Sequence, residues 1–419
     1  MLQDDFRGLV RDYLLPLFSG AQVEPGYATS SSRRDVVRYT TVCSMEIKPD
    51  ESDEWCLTIT RSQPFTQLQT GRVSEHSVAS AFVAGLAAMP ENFEQGSYVD
   101  DLMTRFGRRL VVNTVCPSGA PRTAALNAID ILDSWSARLY EGQPISAAVG
   151  FTQAQAPDGL TLSDAWAEDF GAVLTNAFDT MVTANYEGMV AGYEVMSAPA
   201  QPPMLAPQRL GAVADWTNQA TDRVAFVLNR ADEILALRRG ELVYARRGGR
   251  WYFLSPEAIV TQMGGPNNLQ LRQAVYASCL DASFARTGAC VGILGAGYES
   301  RLGSVAPKRE DHISPLLSPK ARMLDRAIQG RRFGDLDRRL RQEIMAIDGA
   351  TILDHNGYVL AAGAILRVPG GSTGGGRRAA AVALSQYGVG IKVSADGGIE
   401  GFRRPTDGST ERPTFKLMK

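Results

Sequence analysis

Histidine is nearly absent, with His76, His312 and His355 the only three in 419 residues. That scarcity excludes a histidine-rich metal centre and leaves any imidazole acid–base chemistry to one of these three. Cysteine is scarcely more frequent. Its five positions (Cys43, Cys56, Cys116, Cys279, Cys290) are scattered, odd in number and without a CxxC pair. Neither a disulfide framework nor a zinc site fits them, so a reducing cytoplasm is the expected compartment. No apolar run approaches the ~20 residues of a membrane span, so no membrane association is expected, and the opening MLQDDFRGLV does not read as a signal peptide. Internal repeats and coiled-coil heptads are missing as well.

What remains is the composition of a folded chain, 44% hydrophobic and 21% charged, long enough for about two or three domains. A net charge of −2 argues against a dedicated nucleic-acid binder, and no DNA partner is expected. The average conceals an asymmetry. From Arg301 onward there are 20 Lys and Arg against 12 Asp and Glu, a balance of +8, so the first 300 residues carry −10. Arginine supplies most of these cations, and its planar fork suits phosphate better than a lysine does.

Local patterns predict an α/β fold, an N-terminal α/β domain followed by a C-terminal α/β domain whose central mixed sheet is flanked by helices. Glu54–Arg61 reads as a strand, and Ser74 as the cap of the Ala-rich helix that follows. Arg109–Val115 reads as a strand, Thr123–Leu139 as a helix, Ile145–Phe151 as a strand, and Ser163 as the cap of a long helix. Ser197–Pro207 holds four prolines in eleven residues, which no regular element tolerates. The N-terminal domain is therefore expected to span 1–197, a Pro-rich linker 198–208, and a connecting segment 209–267. That segment contains a hairpin turning at Arg246–Arg250, RRGGR; its arginines serve either the turn alone or a phosphate. Residues 268–404 form the last domain, and 405–419 read as a frayed tail.

Within 268–404, LQLRQAVYASCLDASFA reads as a helix leading into the apolar strand ACVGIL. The lone GxG in Gly295–Gly303 lacks dinucleotide-fingerprint spacing. Leu336–Met345 is a charged helix that runs into a hairpin containing Asp348-Gly349-Ala350, with its turn at His355-Asn356-Gly357. Asp348 either caps a turn or holds a Mg²⁺ ion bridging phosphates. Then comes Pro369–Ala380, PGGSTGGGRRAA, and an Ala-rich helix. Flexible amides (Gly374, Gly375, Gly376) before a helix N-terminus, reinforced by Arg377 and Arg378, read either as an anion site or as a plain surface loop. Gly390–Ser394, the turn Ala395–Gly398 and a short strand Ile399–Phe402 close the domain.

This order of elements, with DGA, GGGRRAA and VSADGGIEGF, resembles the diadenylate cyclase (DAC) domain family over roughly 268–404. That family joins two ATP molecules into cyclic di-AMP. The resemblance implies nucleotide contacts from Asp348, Gly349, Ala350, Gly374, Gly375, Gly376, Arg377, Arg378 and Asp396, with Asp348 as the metal ligand for Mg²⁺ or Mn²⁺. The motifs also depart from the family. Ile347 stands where a histidine often precedes DGA. Gly376-Arg377-Arg378 replaces an Arg-His-Arg triplet, Gly375 replaces a threonine, and Ala395-Asp396 replaces paired glutamates. Cyclisation requires metal-supported attack by a 3′-hydroxyl and in-line loss of pyrophosphate. Losing several participants favours binding over turnover, a pattern similar to the degenerate DAC-related sensor proteins of the DACNV type. The implied function is a nucleotide or cyclic-dinucleotide sensor in bacterial signalling or defence, with a homodimer or a signalling protein as partner. Two alternatives stay open at this point: an active diadenylate cyclase, for which Asp348 would be catalytic, and an interaction scaffold that binds no ligand.

Overall fold

The computed structural model describes residues 3–29, 35–51, 54–66, 72–88, 99–156, 159–167, 171, 173–197, 199, 203, 205–264, 268–368, 375–403 and 413–418. The chain is mixed α/β throughout and divides into two compact units, Met1–Ala258 and Ile259–Lys419. Among the described residues no helix is long and apolar enough to cross a membrane.

The first unit holds two sheets. A five-stranded antiparallel sheet is built around Trp55–Thr60, which pairs with Gln22–Val23, Ala28–Thr29 and Ser44–Ile47. The helix Glu75–Ala87 begins at Ser74 in a capping box with Ser77, as the sequence predicts. Beneath it, Glu75 takes both arms of Arg61, with Arg61 Nη2 3.2 Å from Glu75 Oε2. Thr66 adds hydrogen bonds of 2.7 Å from both its N–H and its hydroxyl to Glu75. A buried ion pair tolerates desolvation only when its remaining valences are filled in this way.

The second sheet has seven strands, in the order Val190–Val195, Thr180–Asn185, Ala147–Thr152, Val224–Leu228, Ile234–Arg238, Glu241–Arg247, Arg250–Phe253. Residues 209–258, expected as a connecting segment, thus complete a sheet begun before the prolines. Val224–Leu228 is buried along its whole length against Ala147–Thr152, so the Pro-rich stretch does not end the domain. Gly248 and Gly249, both at positive φ, turn the predicted hairpin. Of its arginines, Arg246 pairs with Asp133 and Arg247 lies 2.5 Å from Glu233, so carboxylates of the same unit take up both.

Two element assignments are corrected here. Arg109–Val115 is the end of the helix Val99–Val115, not a strand. Phe106, Leu110, Val111 and Val115 are buried at helical spacing, and Thr114 Oγ1 donates back to the Leu110 carbonyl. Burial of that face outweighs the β-branched composition. The long helix expected from Ser163 is one turn, Leu162–Ala165, capped by Thr161 instead. Asn176 Oδ1 accepts N–H bonds from Phe178, Asp179 and Thr180. This side-chain turn supplants helical bonding and launches the strand Thr180–Asn185.

The second unit is a six-stranded mixed sheet in the order Val359–Ala364, Ala350–Leu353, Ala289–Leu294, Gly388–Val393, Ile399–Arg403, Phe415–Leu417. Only Ala289–Leu294 and Ala350–Leu353 run parallel. The tail is not wholly frayed. Phe415–Leu417 pairs with Ile399–Gly401, because Phe415 and Leu417 are buried there, while 404–412 lie outside the described residues. Helix Gly376–Ser385 packs on the three central strands Ala289–Leu294, Gly388–Val393 and Ile399–Arg403. Glycines allow it to sit close: Gly292 faces Gly390 across the ladder. A Cβ on Gly292 would meet Leu384 Cδ2 at 2.8 Å, and one on Gly390 would meet the Ala381 carbonyl carbon at 2.7 Å. Helix Leu269–Ala285, capped by Asn268, is joined to helix Arg338–Ala346 by a buried bidentate pair, Arg338 to Asp281 at 2.7 and 2.9 Å.

Candidate functional site

The site is a cavity of about 510 Å³ within the second unit. Its lining comes from four places: the Asp348-Gly349-Ala350 turn, Ala364–Leu366 with Val368, Cys290, and the helix start at Gly376, Arg377, Ala379 and Ala380. Two motifs separated by more than twenty residues thereby share one wall.

Close backbone contact shapes the first motif. Gly349 has φ +112°, and a Cβ there would lie 2.5 Å from the carbonyl carbon of Gly363. Gly363 itself sits at φ +60°, against Ile347. Only glycine serves both positions. The crossing lets the strand pair of Ala350–Leu353 and Val359–Ala364 close tightly while exposed Asp348 lines the cavity. Lys320, paired with Asp311, donates 3.3 Å to the Gly363 carbonyl, and Asp311 accepts from Ile365 N–H at 3.3 Å. That brace holds the segment from Gly363 to Ile365 in place.

The second motif begins at Gly375, at φ +87°, whose carbonyl accepts from Arg378 and Ala379 N–H. The N-cap position is a glycine, which has no side chain to cap the helix, and the first amides and the positive end of the dipole stand at the cavity wall. Arg377 is exposed and lines the cavity; among the described residues it forms no salt bridge. Gly288, at φ +67°, makes room for it, since a Cβ there would lie 2.6 Å from Arg377 Nη1. Beneath it, Cys290 Sγ lies 3.8 Å from the Arg377 carbonyl. Burial pushes the Cys290 thiol up to about 12, despite the opposing pull of Arg377, which leaves it a neutral wall and not a nucleophile.

Of the residues read from sequence, the cavity brings together Asp348, Gly349, Ala350, Gly376 and Arg377. Gly375 adjoins it as the helix cap. Gly374 lies outside the described residues. Arg378 does not line the cavity. Its Nε is 3.8 Å from Glu400 Oε2 and its guanidinium stacks 5.4 Å above the Phe402 ring. Glu400 is shared with Lys392, its cross-strand partner, at 3.5 Å. Asp396 also stays away from the lining. It sits in the Ser394–Gly398 turn, where Gly398 N–H donates to its Oδ1 at 3.2 Å and its backbone carbonyl accepts from Arg286. Hydrogen bonding, from Ser394 first and then Gly398, holds its carboxyl below the usual range.

Sequence reasoning missed Cys290 and the apolar wall of Ile365, Leu366 and Val368. The one available signal was the aliphatic trio Ile365, Leu366 and Val368 just upstream of the Pro369-Gly370-Gly371 stretch; in the structure Ile365 is half exposed.

Comparison with known proteins adds little. No protein-family model matches the chain, and no curated protein matches it. Solved structures align with part of it, among them the following two. A hypothetical membrane-spanning protein from Bacillus cereus is 14% identical over 40% of this chain and 72% of its own, with a TM-score of 0.27. A double mutant of DacA from Staphylococcus aureus is 19% identical over 35% of this chain and 87% of its own, with a TM-score of 0.24.

Proposed function

We propose that the second unit is a nucleotide or cyclic-dinucleotide binding module that acts as a sensor. The observation that carries this reading is the shared cavity: Asp348-Gly349-Ala350 and the helix start at Gly376-Arg377 line one space of about 510 Å³, a volume suited to a small-molecule ligand. Arg377 and the first helix amides suit phosphate. Ile365, Leu366 and Val368 offer an apolar wall to a base. Asp348 is the lone carboxylate among the described lining residues. A single hard oxygen donor does not cage an ion, but it fits a Mg²⁺ or Mn²⁺ that arrives on phosphates and keeps its waters. Such an ion would neutralise phosphate charge beside Asp348.

Binding is favoured over cyclisation because two of the expected participants are engaged elsewhere, Arg378 with Glu400 and Phe402, and Asp396 in its own turn. The retained DGA turn at the cavity edge favours the second reading, an active diadenylate cyclase.

The test uses the full chain with ATP or cyclic di-AMP and Mg²⁺ or Mn²⁺. Thermal stabilisation and product formation are both followed, the latter by mass spectrometry. A saturating ligand at about 100 times its Kd adds about 2.7 kcal/mol. That stabilisation is expected to vanish in Arg377→Ala and to lose its metal dependence in Asp348→Asn, with no cyclic di-AMP formed. Product that disappears in Asp348→Asn would replace the sensor with the cyclase. Absence of stabilisation by either nucleotide would leave a scaffold.

A further inference from the structure

Residues 308–332 lie in the chain between the parallel strands Ala289–Leu294 and Ala350–Leu353, and none of them lines the cavity. They hold seven Lys and Arg against three Asp and Glu. Among the described residues only Lys320, with Asp311, is engaged in an ion pair; the other six cations are exposed. Exposed Glu310 and half-buried Asp325 are the remaining acids. The helix Pro319–Ile328 buries Ala321, Leu324 and Ile328, which leaves Arg322, Met323 and Arg326 on its outer face. Just before it, Leu317 N–H donates to the Pro315 carbonyl at 2.8 Å, a three-residue turn with Leu316 at its centre. Leu316, Leu317 and Met323 are 44%, 55% and 68% exposed. Ser318 Oγ accepts from Ala321 N–H at 3.0 Å and donates to the Glu310 carbonyl at 2.6 Å. That double bond of one hydroxyl fastens Arg309 and its neighbours beside the helix start.

Water solvates the arginines well, but three large apolar side chains exposed within eight residues mark an interaction surface. Its occupant has to supply both negative charge and an apolar phase. A second copy would set arginine against arginine. A nucleic acid supplies the charge, yet 308–332 contain no Phe, Trp or Tyr on which bases could stack. An acidic peptide would need a groove for its anchors, whereas the outer face of a helix is convex. An anionic lipid surface supplies headgroup charge for guanidinium and an acyl boundary for aliphatic side chains. We propose that this face docks on anionic lipid headgroups, with Leu316, Leu317 and Met323 entering the headgroup layer and Arg309, Arg322 and Arg326 meeting its phosphates. Such contact lies on a membrane and needs no spanning helix.

The experiment sediments the full chain with vesicles of phosphatidylglycerol and phosphatidylcholine in equal parts, and with phosphatidylcholine alone. Binding is expected to the first and not the second, and to weaken as salt is raised. Arg322→Glu with Arg326→Glu should weaken it by at least about tenfold, and so should Leu316→Ser with Leu317→Ser. These side chains are exposed, so the unfolding temperatures should match the wild type and a loss of binding reads the surface itself. Three outcomes would overturn the proposal. They are failure of the wild type to sediment with the anionic vesicles, equal sedimentation with phosphatidylcholine, and binding by the leucine variant as tight as the wild type's, which would reduce the contact to charge alone. Tighter binding to single-stranded RNA that the leucine variant retains would assign the face to nucleic acid instead.

Discussion

The closeness of helix Gly376–Ser385 to its sheet rests on Gly390, and Gly390→Ala tests it. An added Cβ would lie 2.7 Å from the Ala381 carbonyl carbon and 3.0 Å from its Cα, with the carbonyl oxygen nearer still. These atoms belong to helix backbone and cannot rotate aside. Ordinary contact starts at 3.4 Å, so the helix must rise by at least about 0.7 Å. Overpacking of that kind costs about 1–3 kcal/mol. Lifting buried Ala381 and Leu384 off the sheet adds a cavity term, bringing the total to about 3–5 kcal/mol. For the 161 residues from Ile259 to Lys419, that amounts to a fall of about 10 °C in Tm. All five tryptophans lie in the first unit, at 55, 135, 166, 216 and 251, so their fluorescence does not follow this unit. Denaturant titration by circular dichroism, with hydrogen exchange of peptides spanning 379–393, reads the effect directly. Gly376→Ala is the control. Nothing lies within 4 Å of a Cβ there, so the better helix former should be neutral or stabilise by up to about 1 kcal/mol. If the two variants differ by less than about 1 kcal/mol, close helix–sheet packing at Gly390 is refuted.

Two further outcomes follow from burial. In the first unit, burial raises the Glu241 carboxyl above its ordinary range, against the opposing pull of Arg72 at 3.4 Å; Glu257 adds a like charge. A raised carboxyl holds its proton more tightly folded than unfolded. The stabilisation is therefore complete below the unfolded value and is lost as pH rises through the folded one, at about 1.4 kcal/mol per unit of displacement. Glu241→Gln should gain on the wild type between pH 5 and pH 8 in denaturant titrations, and a constant gap would refute the reasoning. Second, burial pushes the Cys116 and Cys290 thiols up to about 12 and raises Cys56 and Cys279 as well, while Cys43 is half-buried. Iodoacetamide at pH 8 should label the native chain at Cys43 alone and the denatured chain at all five; a labelled native Cys290 peptide would contradict the closed wall beneath Arg377.

Features encoded within a few residues were legible in the sequence. Ser74 caps its helix, Gly248-Gly249 turns its hairpin, and the Asn356-Gly357 turn closes the strands on either side of it, because each depends on local hydrogen bonds and backbone angles. Val99–Val115 and Thr180–Asn185 were misread because distant partners decided them. In one case the buried face of a helix outweighed β-branched composition, and in the other a strand found a parallel neighbour at Ala147–Thr152. The site divides in the same way. Asp348 and Arg377 line the cavity, whereas Arg378 and Asp396 are drawn off by Glu400, Phe402 and the Ser394–Gly398 turn.

The sequence by itself determined the α/β character, the order of motifs in the last third and the glycines on which the turns depend, since these follow from side-chain size, periodicity and allowed backbone angles. Only the tertiary structure decided that 209–258 complete the first unit's sheet, that Ala289–Leu294 lies between Ala350–Leu353 and Gly388–Val393, and which of two adjacent arginines meets the cavity. Those outcomes depend on summed burial and on charge partners far apart along the chain. Neighbouring residues with the same chemistry therefore take different roles, according to the strand or turn that folds against each.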